Sequence, residues 1–226
     1  MSWLGDLRKR QPGRPLGRIF IWQFMQSVVW LYLTVLYRAR AWGVRNIPAE
    51  GPVLFACNHQ SFYDPILIGS FASKRHFYSL ARHTLFENKL SKLFANWSNS
   101  IPVQQGAGDT KAMKKCIEVL KEDHALMLFP EGARTLTGEV EKFETGAMLI
   151  IKRAKPTVIP VAVEGVYDVW PRGQSKPKWT GRLGVMYGNP IPAKDLIALP
   201  PEQAMGLLRS RVDEMRHQVA EKLAKP

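Results

Sequence analysis

The stretch from Pro52 to Asp64 reads PVLFACNHQSFYD. Its first six residues form an apolar run of the length expected of a buried strand. Pro65 follows directly, and an aspartate and a proline in this order are typical of the cap and the first position of a helix. The stretch therefore predicts a strand that is followed, after a short polar loop, by a helix.

Five further apolar runs predict the rest of a sheet. They are short, are separated by turn residues and read HFYSLA, SIPV, ALMLF, TVIPVAV and RLGVMYG. Between SIPV and ALMLF, Asp109 or Thr110 can cap a helix that runs to about Lys121 with its apolar residues on one side. This alternation indicates an α/β fold with a mixed, mostly buried sheet flanked by helices. Residues 201–225 predict an amphipathic helix, which either closes over the domain or lies on a membrane surface.

The N-terminal region is basic and apolar. A formal net charge of +13 predicts an anionic partner, either nucleic acid or an anionic membrane surface. The segment from Ile19 to Tyr37 is long enough for a membrane helix, but polar side chains interrupt it and arginines lie beyond both ends. We expect a helix or helical hairpin in one leaflet, with a true span and a buried core helix as alternatives. A cleaved signal peptide does not fit. The candidate cleavage site would be the small residues Ala39 and Ala41, and Arg38 and Arg40 crowd it.

We divide the chain at residue 41. Residues 1–41 are predicted to form a basic tail and a membrane-associated helical segment, and residues 42–226 an α/β domain that includes the C-terminal helix. The clearest group of aromatic and basic residues surrounds the apolar segment, so we expect lipid as the partner and no nucleic acid. Cys57 and Cys116 lie in apolar surroundings and are expected to be buried, reduced thiols.

His59 and Asp64 lie beyond the carboxyl end of the first predicted strand, where open α/β sheets bind ligands. Their spacing allows the carboxylate to turn back to one imidazole nitrogen, which would orient the ring and leave the other nitrogen free as a base. The alternative is that Asp64 only caps a helix and His59 only bonds its loop. Ser61 or Cys57 could act as a nucleophile, but the chain has no Gly-x-Ser-x-Gly motif to support one.

A second loop follows the predicted strand ALMLF and contains Glu131, Gly132 and Arg134. Arginine can bind a phosphate with two parallel hydrogen bonds, and a glycine lets backbone amides approach an oxyanion closely. Glu131 fits beside a phosphate only if it contacts Arg134 or the hydroxyls of a polyol. A plain surface turn with a solvated arginine is the alternative.

Together these stretches resemble the glycerolipid acyltransferase family, which includes the 1-acyl-glycerol-3-phosphate acyltransferases. His59 and Asp64 match the His-x4-Asp motif of that family. FPEGAR, from Phe129 to Arg134, matches its acceptor-binding motif, and VIPVAVEG, from Val158 to Gly165, matches its fourth block. The resemblance runs from about residue 42 to residue 188.

The resemblance implies a role for each matching residue. His59 would deprotonate a glycerol hydroxyl and Asp64 would orient His59. Arg134, with Glu131 and Gly132, would position the glycerol phosphate of the acceptor, and Pro160 would shape the wall of the acyl site. The resemblance implies neither a metal nor a bound cofactor, since acyl-CoA or acyl carrier protein serves as the cosubstrate.

Several positions depart from the family pattern. Gln105 stands where the family has a phosphate-binding arginine, and Ala133 replaces a hydroxyl residue. Glu144 and Thr145 stand where lysines are often found. Three other residues could compensate for the missing positive charge: Arg82, His83 and Lys142.

We expect a membrane-bound O-acyltransferase that moves a fatty acyl group to a lysophospholipid, with lysophosphatidic acid converted to phosphatidic acid as the leading reaction. One alternative is acylation of a different lysolipid or hydroxylated acceptor, and another is an inactive lipid-binding relative. The active site is expected to face the cytoplasm, at the inner membrane if the source is bacterial.

Overall fold

The computed structural model describes residues 13, 15–72, 75–87, 89, 98–103 and 109–225. These residues form one sheet whose strands lie in the order β1-β7-β6-β2-β5-β3-β4. The strands are β1 (Arg40–Trp42), β2 (Val53–Cys57), β3 (Phe77–Arg82), β4 (Ser100–Val103), β5 (Ala125–Leu128), β6 (Thr157–Glu164) and β7 (Gly184–Tyr187). The helices are α1 (Leu16–Tyr37), α2 (Asp64–Phe71), α3 (Thr110–Lys121), α4 (Gly146–Ala154), α5 (Val166–Val169), α6 (Ala193–Ile197) and α7 (Pro201–Ala224).

The sheet is mixed, as predicted. Only the β6 and β7 pair is antiparallel among the described strands, and the other neighbours are parallel. All six predicted strands are present, and the predicted helix between β4 and β5 begins at Thr110 with Asp109 as its cap. The short strand β1 was not predicted, because three residues are too few to show a periodic pattern.

Strand β2 lies in the middle of the sheet, and all five of its residues are buried. Its side chains alternate between two apolar clusters, since successive residues of a strand point to opposite faces. Leu54 and Ala56 pack on one face with α3, α4 and α7, while Phe55 and Cys57 pack on the other face with α1 and α2. Cys57 and Cys116 are buried free thiols, which confirms that prediction.

Helix α7 confirms the prediction of an amphipathic helix that closes over the domain. It packs on β6 and β7, and its residues Leu208, Val212 and Val219 are fully buried.

Helix α1 is apolar on two sides. One stripe, including Ile19, Trp22 and Leu33, is buried against the domain, and the Gln26 side chain donates a 2.6 Å hydrogen bond to the Gly69 carbonyl of α2. The helix also exposes nine large apolar side chains, all but Trp30 on the side away from this stripe: Phe20, Ile21, Phe24, Met25, Val28, Trp30, Leu31, Tyr32 and Val35. Among the described residues, α1 is the helix long and apolar enough to cross a membrane.

The connection from α1 to the sheet is short. The Arg40 amide donates to the Leu183 carbonyl, and β1 then pairs with β7. The predicted division between residues 41 and 42 lies within the short strand β1, and α1 packs on α2.

Candidate active site

His59 and Asp64 form a hydrogen-bonded pair at the carboxyl end of β2. The distance from His59 Nδ1 to Asp64 Oδ2 is 2.7 Å. The same oxygen accepts the backbone N–H groups of Gln60 at 2.6 Å and Ser61 at 2.7 Å. Asp64 does not cap α2 as predicted, because its carboxylate turns back to the preceding loop; Tyr63 occupies the cap position and Asp64 begins the helix.

The environment of the two side chains differs. Asp64 is fully buried, which raises the pKa of its carboxyl above the ordinary value, and the hydrogen bonds from His59, Ser61 and Gln60 oppose that rise. The His59 side chain keeps 21% of its surface exposed. With the carboxylate ionised, Nδ1 must carry the proton and donate it, so Nε2 is the unprotonated nitrogen. This arrangement is that of a base with its orienting acid.

The loop after β5 holds His59 in place. The parallel register sets Leu128 opposite Ala56, so Phe129 comes to lie beside His59, and their rings stack with centroids 4.0 Å apart. The Glu131 Oε1 atom accepts the His59 backbone N–H at 3.1 Å, and Thr135 donates its amide to the His59 carbonyl at 2.8 Å. The structure thus brings the two predicted motifs together.

Glu131 supports the histidine backbone. Burial raises the pKa of its carboxyl to about 8, and the negative charge of Asp64 contributes to the rise while the His59 amide opposes it. Its second oxygen, Oε2, is buried and has no hydrogen-bond partner among the described residues. We predicted Glu131 as a substrate-binding residue, and the structure commits one of its two oxygens to His59.

Three polar residues that we did not single out as supports hold the His59 loop. The Asn58 side chain exchanges two hydrogen bonds with the Val163 backbone. Gln60 donates to the Gly138 carbonyl at 2.7 Å, and Ser61 donates its hydroxyl to the Trp170 carbonyl. Each of these bonds joins residues far apart in the chain, so no local sequence pattern could have revealed it.

The two nucleophile alternatives lose support. The Ser61 hydroxyl donates to a carbonyl and accepts the Tyr63 amide, so it is directed away from His59. Burial raises the pKa of the Cys57 thiol well above its usual range, and this thiol is held protonated in the core.

Helix α7 is connected to the same loop through Arg216. This guanidinium is buried and forms ion pairs with Glu139, Asp213 and Glu164. Glu164 in turn accepts a 3.2 Å hydrogen bond from the Gln60 side chain. The amphipathic pattern of α7 did not predict that Arg216 would be buried in these ion pairs, because a single arginine on a helix is usually solvated.

Arg134 packs on Phe62, which lies in the loop between His59 and Asp64. Its guanidinium sits 3.7 Å from the centre of the Phe62 ring, and its Nη1 atom is buried without a hydrogen-bond partner among the described residues. Burial lowers the pKa of Arg134, and the positive charges of Arg82 and Arg172 lower it further. Arg172 also donates a 3.5 Å hydrogen bond to the Arg134 carbonyl.

These three arginines concentrate positive charge beside Phe62. Arg82, the last residue of β3, was predicted as a possible compensating cation. Arg172 was not predicted, since it follows α5 outside the matching motifs and is 38 positions from Arg134. An anion is the ligand that would relieve the mutual repulsion of such a group.

The remaining predicted site residues are placed as follows. Gly132 adopts φ of +75°, a conformation that favours glycine, and its amide donates to the Phe129 carbonyl in a turn. Pro160 lies inside β6 and pairs with Ala56 of β2, which precedes His59 by three residues. The role of Pro160 stays a prediction. Gln105 lies outside the described residues.

A family comparison agrees with this geometry. The family model described as Acyltransferase matches residues 38–164, which is more than half of the chain. The chain belongs to the acyltransferase family. The predicted resemblance is confirmed.

Individual relatives of this acyltransferase are distant. The 1-acyl-sn-glycerol-3-phosphate acyltransferase of Bacillus subtilis is 23% identical over 203 residues, which cover 90% of this chain and 98% of that protein. The chloroplastic enzyme LPAT1 of Arabidopsis thaliana is 23% identical over 168 residues, and the matched part spans 47% of its length. The crystal structure of the 1-acyl-sn-glycerophosphate acyltransferase PlsC from Thermotoga maritima superposes with a TM-score of 0.77 at 23% identity, covering 98% of this chain and 88% of that one. This last likeness confirms the fold.

Proposed function

We propose that this acyltransferase moves a fatty acyl group from a thioester donor to the free hydroxyl of a lysophospholipid. The leading acceptor is lysophosphatidic acid, which would become phosphatidic acid. The observation that carries the proposal is the 2.7 Å pair of His59 and Asp64, together with Arg134 Nη1, which is buried and has no hydrogen-bond partner among the described residues. The Bacillus subtilis relative, a 1-acyl-sn-glycerol-3-phosphate acyltransferase, supports the same acceptor.

The chemistry follows from the orientation of the imidazole. His59 Nε2 takes the proton of the acceptor hydroxyl while that oxygen bonds to the thioester carbonyl carbon. The resulting imidazolium is stabilised by the buried carboxylate of Asp64. When the tetrahedral intermediate collapses, the carbon–sulfur bond breaks, and the thiolate leaves and takes the proton from His59. No acyl-enzyme is needed, in agreement with the positions of Ser61 and Cys57.

Recognition of the acceptor phosphate falls to the arginine group. Arg134 is held by its stack on Phe62, so its planar fork is oriented before an anion binds. Arg82 and Arg172 add two further positive charges, which compensates for the glutamine at position 105. Glu131 Oε2, which has no hydrogen-bond partner among the described residues, can hydrogen-bond a glycerol hydroxyl. A different lysolipid with a phosphate or phosphodiester is the second candidate acceptor, because the same charges would bind it.

We also propose that the enzyme works at a membrane surface, with α1 as the contact. The exposed apolar side chains of this helix would be buried in lipid, while the buried stripe packs against the domain. This packing favours a helix in one leaflet over a true span. Acyl-CoA and acyl carrier protein are water-soluble donors, which supports the predicted cytoplasmic side for the active site.

A substrate screen tests the proposal. Purified full-length protein is assayed against several lysolipids, with and without a phosphomonoester, using acyl-CoA and acyl carrier protein as donors. We expect ester formation with the phosphomonoester acceptor to be lost in His59→Ala and to need a higher acceptor concentration in Arg134→Gln. Retained activity in a folded His59→Ala protein would refute the mechanism, and a parent protein inactive on all acceptors would point to the inactive lipid-binding alternative.

A further inference from the structure

Residues 174–180, QSKPKWT, form a loop that we call the tryptophan loop. The chain has no acidic residue between Asp168 and Asp195, and the loop carries Lys176 and Lys178. Both lysines are exposed, and neither forms an ion pair with any residue that the structure describes. Trp179 is 77% exposed, more than any other large apolar side chain of the described residues. Such exposure of a tryptophan usually marks a surface that a partner covers.

The backbone of the loop is fixed, although its side chains are not packed. The Trp170 ring nitrogen donates to the Gln174 carbonyl at 2.9 Å, and the Lys178 amide donates to the Val169 carbonyl at 2.9 Å. Tyr37, the last residue of α1, donates its hydroxyl to the Lys178 carbonyl at 2.9 Å. The loop is therefore presented in a set orientation next to the end of α1.

A row of aromatic rings also connects the exposed side of α1 to the start of the loop. The hydroxyl oxygens of Tyr32 and Tyr63 are 3.3 Å apart, and the Tyr63 ring meets the Trp170 ring edge to face at 5.1 Å. Trp170 also contacts Phe62, and the Arg134 guanidinium lies over the Phe62 ring. The apolar helix α1, the tryptophan loop and the arginine group are thus joined by a chain of ring contacts.

We propose that the tryptophan loop is a second membrane contact, in which Lys176 and Lys178 bind anionic lipid headgroups and Trp179 enters the interface. Two observations favour lipid over a protein partner: the loop is hydrogen-bonded to the end of α1, which exposes many apolar side chains, and the residue types of the loop are those that prefer the membrane boundary. With contacts at α1 and at the loop, the arginine group would face the headgroup region, where a lysolipid resides. This inference rests on the proposed membrane function and adds the residues and the lipid charge that it requires.

A fluorescent label at residue 179 tests the contact. The native Cys57 and Cys116 are both fully buried, so a Trp179→Cys variant of the full chain can be labelled at the new position. The labelled protein is reconstituted into vesicles of phosphatidylcholine, or of phosphatidylcholine mixed with phosphatidylglycerol, each containing a spin-labelled headgroup quencher. We expect strong quenching in the anionic vesicles and much weaker quenching in the zwitterionic ones.

Two matched variants complete the test. A label at Ala198→Cys, an exposed position near the amino end of β6, should stay unquenched in both vesicles. Combining Trp179→Cys with Lys176→Gln and Lys178→Gln should weaken the loop contact roughly 30-fold, since each lysine near an anionic surface contributes about 1 kcal/mol. Equal quenching of the labels at 179 and 198 would overturn the proposal.

Two further readings separate the possible failures. A spectral shift of the 179 label that appears only on adding acyl carrier protein would assign the loop to a protein partner and overturn the membrane contact. Acyl transfer to a detergent-solubilised acceptor is measured on every variant and should match the parent, because Trp179, Lys176 and Lys178 lie outside the His59 and Arg134 site. If the parent protein transfers no acyl group, the proposed function is refuted. If the variants transfer acyl groups as the parent does but the label at residue 179 is not quenched, the loop contact alone is refuted.

Discussion

Replacing Asp64 with asparagine would separate its charge from its geometry. Two backbone N–H groups, of Gln60 and Ser61, converge on Asp64 Oδ2 and require an acceptor there. In Asp64→Asn the amide oxygen must occupy this position, because the NH2 group would oppose two donors. His59 Nδ1 can then still donate to an oxygen, so the ring orientation and the proton position are retained while the negative charge is lost.

The expected loss can be worked from the geometry. With the Nδ1 and Oδ2 atoms 2.7 Å apart, the centres of the two delocalised charges lie roughly 4 Å apart, which is worth about 4 kcal/mol at an effective dielectric constant near 20. At about 1.4 kcal/mol per factor of ten, full proton transfer in the transition state would make Asp64→Asn slower by roughly 10³. Partial proton transfer reduces this figure, so we expect kcat to fall by about 10² to 10³.

The assay is steady-state acyl transfer by parent, Asp64→Asn and Asp64→Ala, with thermal unfolding measured on each protein. The asparagine removes a buried charge and keeps both backbone hydrogen bonds, so its Tm should stay within about 4 °C of the parent, a change of roughly 1 kcal/mol. The alanine should lose further activity and stability, since it leaves the N–H groups of Gln60 and Ser61 unpaired. An Asp64→Asn enzyme within fivefold of the parent kcat would refute the reasoning, because the charge would then make no contribution.

Two more outcomes are expected. The triple variant Phe24→Gln, Leu31→Gln and Val35→Gln should move the protein from the membrane fraction to the soluble fraction. Its Tm should hardly change, because these side chains are 56% to 73% exposed. An unchanged membrane fraction would rule out α1 as the membrane contact. Glu131→Gln should lose less stability than the parent as the pH rises. Burial raises the pKa of the folded Glu131 carboxyl to about 8, so the folded parent holds a proton that the unfolded chain releases. The free energy of unfolding of the parent should therefore fall as the pH rises from about 5 to about 8, whereas that of the variant should not. The measurement is the urea midpoint of unfolding between about pH 5 and about pH 8. The prediction is contradicted if the midpoints of parent and variant change with pH in the same way.

Local patterns were sufficient to predict the strands and helices and the hydrogen-bonded pair of His59 and Asp64. The apolar runs predicted six strands, and a five-residue separation at a strand end predicted that Asp64 would reach His59. Both depend on interactions within a few residues of the chain, which periodicity and turn chemistry describe well. The one-residue error at the start of α2 arose because Asp64 bonds backward to Gln60 and Ser61 and not forward into the helix.

Local sequence patterns could not predict contacts between residues that are far apart in the chain. Arg172 joins Arg134 because β2, β5 and β6 are neighbours in the sheet, and this neighbourhood is set by packing. The same applies to Glu131, whose assignment to the His59 amide depends on the register between β2 and β5.

Residue order alone was enough to establish the fold class, the His59 and Asp64 pair and the apolar character of α1. Folding determined which cations surround Arg134 and which side of α1 remains exposed. The physical reason is the range of the interactions: hydrogen bonds within one loop follow from residue spacing, whereas burial and charge clustering depend on which elements the sheet brings together.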